Sequence, residues 1–362
     1  MAKSQDSSAT QAWVLFDEVV ARAAPGGEYT NPWVGKGVYK PDLAVLEDLL
    51  GCVLSVIPDP LDTQSGVAAL ALDVWLAYEL RRAGFERENV WPRATRPRVI
   101  PPDISVLLNG LPQSKEAPEL RRRLEGARPP KGVVSATANI LGRNYIKQVD
   151  VVMSSWATGP EILISTKRMD AAYGKNAANR IEEANGDAKN LRGRHPLAAL
   201  GFVFGLSAAA FEEDPNSAHW IVDQLEKLND ESDAYEAVSL IVPKYTIPPS
   251  VLNERERKRK ARSAARAGLP LEDQQETEAL VEPGADAAGI EAVPSPVPDL
   301  DARLRSLPKV KVDESHVPER LRPATFLAEI VTFVLKSTPI TMHREARVRG
   351  GWRYIDADAE MG

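Results

Sequence analysis

Between Ile146 and Pro243 the chain alternates two periodicities, and this constrains its fold more than any other feature. Ile146–Met153 and Glu161–Met169 are β-rich and separated by the turn Thr158-Gly159-Pro160. Asn176–Leu191 instead places Ala177, Ile181, Ala184, Ala188 and Leu191 on one helical stripe. Leu197–Leu206 (LAALGFVFGL) reads as a buried strand, Ser217–Leu228 as a helix and Ala234–Pro243 as a further strand. With a short helix candidate at Ser135–Leu141, the order becomes helix-strand-strand-helix-strand-helix-strand. That order specifies an α/β fold, a mixed sheet flanked by helices.

The flanks differ in texture. Ala9–Ala23 carries Trp13, Phe16, Val20 and Ala23 at helical spacing before Pro25-Gly26-Gly27 stops the run. Asp42–Val56 and Gly66–Arg82 repeat the pattern, so residues 1–95 are expected to form a mainly helical N-terminal region. Trp91–Ile104 (WPRATRPRVIPPDI) is too rich in proline for a long helix and predicts an extended arginine-bearing arm, or a stiff connector. Residues 96–249 form the expected core and 250–300 a linker. Within the linker, Arg255–Arg266 has seven basic residues and one acid, whereas Leu269–Asp301 has nine acids and no base. In the last segment, 301–362, Ala324–Lys336 is a helix expected to dock back on the core.

Composition excludes several chemistries. The single Cys52 rules out an intrachain disulfide or a cysteine zinc cage, and the four histidines show no metal-ligand spacing. No secretory signal is visible at the N-terminus, and the apolar run at Phe326–Leu335 is too short to span a bilayer. A cytoplasmic protein is expected. A net charge of -6 argues against a generic nucleic-acid coat, but not against DNA binding by a local basic surface.

The chemistry concentrates in Val149–Met169, VDVVMSSWATGPEILISTKRM. Strand alternation puts Glu161, Leu163, Ser165 and Lys167 on one face, and hairpin pairing can bring Asp150 beside Ser165 and Lys167. A carboxylate that holds a divalent metal, with a lysine near the attacking water, is what phosphodiester hydrolysis requires. The plain alternatives are a polar edge-strand residue and a solvated strand end.

With Asp150 on one strand and Lys167 on the next, the stretch resembles the PD-(D/E)XK nuclease superfamily, the fold of many restriction endonucleases. The resemblance covers about 135–244. It departs at Val149, in place of the proline, and at Ser165, in place of the second acid. Some restriction enzymes with Ser-x-Lys draw the missing carboxylate from the following helix, about fourteen residues after the lysine. Here NRIEEAN places Glu182 and Glu183 fifteen and sixteen positions beyond Lys167. Glu161 lies six strand residues before Lys167, roughly 20 Å away at the usual rise, too far for one metal site.

The resemblance implies a restriction-endonuclease-like core and a Mg2+-dependent endonuclease acting on double-stranded DNA. Asp150 and Glu182, or Glu183, would bind the metal, Ser165 would line the site, and Lys167 would position water. Arg143, Lys147, Lys175, Arg180, Lys189, Arg192 and Arg194, with Arg93, Arg96 and Arg98 of the arm, are candidate DNA contacts; helix-surface charge balance is their plain alternative. Asp42, Asp59 and Asp103 follow prolines but lead no acid-x-lysine strand, and are read as structural. A type II-like restriction or phage-defence enzyme, homodimeric or larger and with possible defence-system partner proteins, is the expected function. A catalytically inactive DNA-binding or scaffold subunit of the same fold is the alternative.

Overall fold

The computed structural model describes residues 7–57, 59, 66–112, 115–126, 130, 132–171, 173–246, 249, 251, 253, 257 and 298–356, without the Lys175 side chain. The linker assigned to 250–300 therefore lies almost wholly outside the described residues.

The N-terminal region holds α1 (Ser8–Ala23), a short hairpin of β1 (Trp33–Gly35) and β2 (Val38–Tyr39), α2 (Leu43–Val56) and α3 (Val67–Arg82). Ser7 caps α1 by accepting from the Thr10 N–H, and Asp42 caps α2 from Val45, so Asp42 has a structural task. Next come β3 (Val90–Trp91), α4 (Pro102–Gly110), α5 (Glu116–Glu125), β4 (Ala138–Leu141), β5 (Ile146–Val149), β6 (Val151–Ser155), β7 (Gly159–Met169) and α6 (Tyr173–Arg192). The chain continues through β8 (Ala199–Leu206), α7 (Ala209–Glu213), α8 (Pro215–Asp230), β9 (Ala237–Ile241) and β10 (Pro243–Tyr245). Beyond the linker are α9 (Leu300–Arg305), β11 (Val310–Val312), α10 (Pro323–Ser337) and α11 (Arg344–Arg349).

The main sheet has the order β3-β6-β7-β8-β9. The β3–β6 and β6–β7 pairs are antiparallel, while β7–β8 and β8–β9 are parallel, with α6 and α8 as the crossovers. The fold is thus mixed α/β around a five-stranded mixed sheet. One face, carrying Val151, Met153, Ile162, Ile164 and Val203, packs on α1–α3 and α10. The other, carrying Leu163, Phe202, Phe204 and Leu240, packs on α6 and α8. Central β8 is buried along its whole length, which explains its unbroken apolar run.

Two of these helices, α10 and α3, lie directly against the strands of the first face. In α10, Phe326, Leu327, Ile330, Val331 and Val334 are all buried, each worth roughly 1.5–3 kcal/mol. Gly201 lets Phe326 come close, since a Cβ there would lie 2.8 Å from the ring. Helix α3 is buried on nearly every side, and its polar members are paired. Glu79 meets Arg82 at 2.8 Å, and Arg81 donates to the Val90 carbonyl.

Three local expectations change. Ser135–Leu141 is not a helix: Ala138–Leu141 is strand β4, laddered antiparallel to β5, so tertiary pairing overrides a weak local signal. The strand expected over Ile146–Met153 breaks at Asp150. Its first half joins β4 and its second half joins the main sheet. Glu161 does not share the Ser165 face either. A register shift between Met153 and Ser154 makes it the bulged residue, and its carboxylate meets His343 at 2.6 Å and Thr158 at 2.6 Å.

Candidate active site

Asp150 occupies the break between β5 and β6. The ladder pairs Val151 with Ile164, so Asp150 falls opposite Ser165, at the end where β7 runs on beyond its neighbour. Its Oδ2 accepts from the Thr166 N–H at 2.8 Å. The Thr166 hydroxyl points to the opposite face and donates to Asp73 Oδ1 at 2.6 Å. One threonine therefore holds two carboxylates, one from the strand break and one from α3.

Both carboxylates are unfavourably placed for charge. Burial, then the negative charge of Asp150, pushes the Asp73 carboxyl well above its ordinary 3.8, and the Thr166 hydrogen bond opposes this only in part. Asp150 is also raised, because burial outweighs the Thr166 N–H and the charges of Lys167 and Lys147. Asp73 belongs to no sequence-level expectation. Its signal was an isolated acid inside the apolar run VAALALDVWLAY, where an ionised group needs a reason.

A folded carboxyl with a raised pKa stabilises the protein at low pH. It progressively loses that contribution as pH rises above 3.8 and through the raised value. Asp73→Asn keeps an acceptor for Thr166 and removes the charge. We therefore expect the variant to be more stable than wild type at pH 8 by on the order of 1–2 kcal/mol, and near parity at pH 4. Urea unfolding at the two pH values measures the difference, and an unchanged gap across pH would refute the charge argument.

Helix α6 supplies the second half of the site. Lys167 Nζ lies 2.6 Å from Glu183 Oε1, and Arg180 lies 3.1 Å from Glu183 Oε2. Lys147 contacts Asp187 at 2.6 Å and Glu183 at 3.5 Å, and the Tyr145 hydroxyl donates to Asp187 at 3.2 Å. Burial would raise the Glu183 carboxyl, but hydrogen bonding to Lys167 and the charges of Lys167 and Lys147 hold it below its ordinary 4.5. Glu182, the first choice as acid donor, points away and is exposed. Its neighbour one position on, near 100° further round the helix, takes the place beside Lys167. Ser165 is buried at 4% exposure on the Lys167 face.

The basic residues have different placements. Arg98 is 1% exposed, stacked 3.8 Å over Trp13 and paired with Asp17 at 2.8 Å, so it is interior structure and not a reaching arm. Arg93 pairs with Glu88 at 2.7 Å and donates to the Pro97 carbonyl. Arg192 is tied to Glu236 and to the Ala198 and Ala234 carbonyls. Lys147 and Arg180 belong to the acidic network just described. Arg143, Lys189 and Arg194 are exposed, Lys189 in a 3.1 Å pair with Glu231. Arg96 is half-buried against a small cavity beside the sheet, and the Lys175 side chain lies outside the described residues.

Among the described residues no three Asp, Glu, His or Cys side chains form a ready metal cage, and no helix is long and apolar enough to cross a membrane. Magnesium commonly takes only one or two protein carboxylates and keeps several waters, so Asp150, at the strand break opposite Ser165, fits it chemically, whereas Asp73 meets Thr166 on the opposite face. Comparison with known proteins adds no relative: no family model, curated protein or solved structure matches the chain.

Proposed function

We propose that this chain is a magnesium-dependent DNA endonuclease with a restriction-endonuclease-like core. The observation that carries the reading is the Thr166 clasp. Two carboxylates with raised pKa values, half-buried Asp150 and buried Asp73, bond to one residue, and Lys167 follows it on the same strand. Buried acids that disfavour their own charge are candidates for a functional site, because a bound cation would offset that cost.

Asp150 would hold the divalent ion, which would supply charge neutralisation at a phosphoryl group and acidify water, while Asp73 on the opposite face holds the Thr166 hydroxyl. Lys167 is the residue that would orient the attacking water and stabilise the hydroxide formed from it. Glu183, kept ionised by its basic neighbours, fixes the direction of the Lys167 ammonium through their 2.6 Å contact. In this reading the helix acid acts first on the lysine, and Glu182 has no part. Cutting both strands takes two such centres, so a homodimer acting in the cytoplasm, as a restriction or phage-defence enzyme, completes the proposal.

Purified full-length protein should nick or linearise plasmid DNA with magnesium, and Lys167→Ala should not. Equal cutting by the two proteins would overturn the assignment. A second reading, a DNA-binding subunit without catalysis, draws on Ser165 and on the ion pair that occupies Lys167. Duplex binding in calcium with no cleavage in magnesium or manganese, across unmodified and modified DNAs, would favour it.

A further inference from the structure

Strands β4 and β5 form a two-stranded antiparallel ribbon of their own, and β5 ends one residue before Asp150. Ala138, Ile140, Lys147 and Val149 take the inner positions. Ala138 and Val149 are buried there, and Lys147 holds Asp187 at 2.6 Å. The alternate positions, Asn139, Leu141, Ile146 and Gln148, are all exposed. They stand as two cross-strand pairs, Asn139 with Gln148 and Leu141 with Ile146.

A lone two-stranded ribbon is marginally stable in water, so its rigidity needs a source. Asn190 of α6, 2% exposed, supplies it at the tip. Its Oδ1 accepts from the Asn144 N–H at 2.8 Å and the Tyr145 N–H at 3.3 Å, and its Nδ2 donates to the Tyr145 carbonyl at 3.1 Å. The Asn190 carbonyl accepts from the Arg143 N–H at 2.8 Å. Gly142 leaves room for this clasp, since a Cβ there would lie 2.2 Å from Nδ2. A buried amide thus fixes a ribbon whose outer face is open to solvent.

That outer face suits a duplex groove. Ala138–Val149 contains Arg143 and Lys147 and no acid, so the ribbon does not repel a polyanion. Two strands about 4.8 Å apart fit a major groove about 12 Å wide. Carboxamides such as those of Asn139 and Gln148 can donate to and accept from an adenine edge at once. Apolar side chains such as Leu141 and Ile146 can meet a thymine methyl. Gln148 lies two residues before Asp150, roughly 7 Å along the chain at the usual strand rise. Bases read there would neighbour the phosphate that is cut.

We propose that the β4–β5 ribbon enters the major groove and reads base edges beside the cleavage point, with Asn139 and Gln148 as specificity-determining residues. The proposal rests on the nuclease reading for its DNA substrate, but its test needs no cleavage. Full-length wild type, Asn139→Ala and Gln148→Ala each select from a randomised duplex library in calcium. Fluorescence anisotropy then measures their affinities for the wild-type motif and for unselected duplex, and urea unfolding checks that the fold is kept.

Wild type should enrich a motif. Each variant should bind that motif about tenfold more weakly, with its affinity for unselected duplex changed less than about twofold. An equal fall on every duplex would make these residues backbone contacts and overturn the base reading, as would a wild type that enriches no motif. Unchanged motif binding by both variants would also reject it, and a sedimentation shift towards monomer in Leu141→Lys would then give the face to a second copy of the chain. If the variants lose the motif but wild type cuts no DNA in magnesium, the nuclease reading fails and the ribbon reading stands.

Discussion

Asp150→Asn is expected to lower magnesium-dependent cleavage on the order of a hundred- to a thousandfold, with the fold intact. The two consequences come apart because the side chain has two roles. As a hydrogen-bond acceptor it holds the Thr166 N–H at 2.8 Å, and the amide oxygen of asparagine takes over that bond. As a charge it would hold the cation, and asparagine cannot. Burial already penalises that charge, so its removal should leave the metal-free protein at least as stable as wild type. Single-turnover cleavage together with urea unfolding reads both consequences. An asparagine variant that cuts within about threefold of wild type would remove Asp150 from the reaction.

The second large effect concerns stability, and it separates interior arginines from those that could touch DNA. Arg98→Ala should destabilise the protein by roughly 3 kcal/mol. The guanidinium is fully buried, bonded to both Asp17 oxygens at 2.8 Å and stacked on Trp13. It thereby ties the arm to α1. A desolvated cation–π contact contributes up to about 2 kcal/mol, and the truncated side chain leaves a void besides. Asp17 is part-exposed and can rehydrate, which keeps the loss at the lower end of the range for broken buried pairs. At a temperature where the variant is folded, duplex affinity should match wild type. A fall in affinity with unchanged stability would return Arg98 to the DNA interface.

The candidate site was only partly legible in the chain. Lys167 and Asp150 stand out because a strand's period of two and a hairpin's pairing are local geometry, readable from spacing. The choice between Glu182 and Glu183 was not, since both flank the apolar stripe of α6. One residue of rotation, which decides between them, depends on how the helix seats against β7. Asp73 was farther from reach. It lies 93 positions before Thr166, and only packing of α3 across the sheet brings the two together. The bulge that turns Glu161 towards His343 is likewise a property of the pairing with β6, not of the strand that contains it.

Periodicity by itself determined the alternation of helices and strands, the buried β8 and the apolar stripe of α6, because each follows from how a backbone must repeat to hide apolar side chains. Tertiary structure alone decided which polar groups meet. It turned an expected arginine arm inward onto Trp13, made a strand of Ala138–Leu141 and paired a helix acid with Lys167. Those contacts join residues distant in the chain, and their energy depends on burial and orientation, which spacing along the chain does not encode.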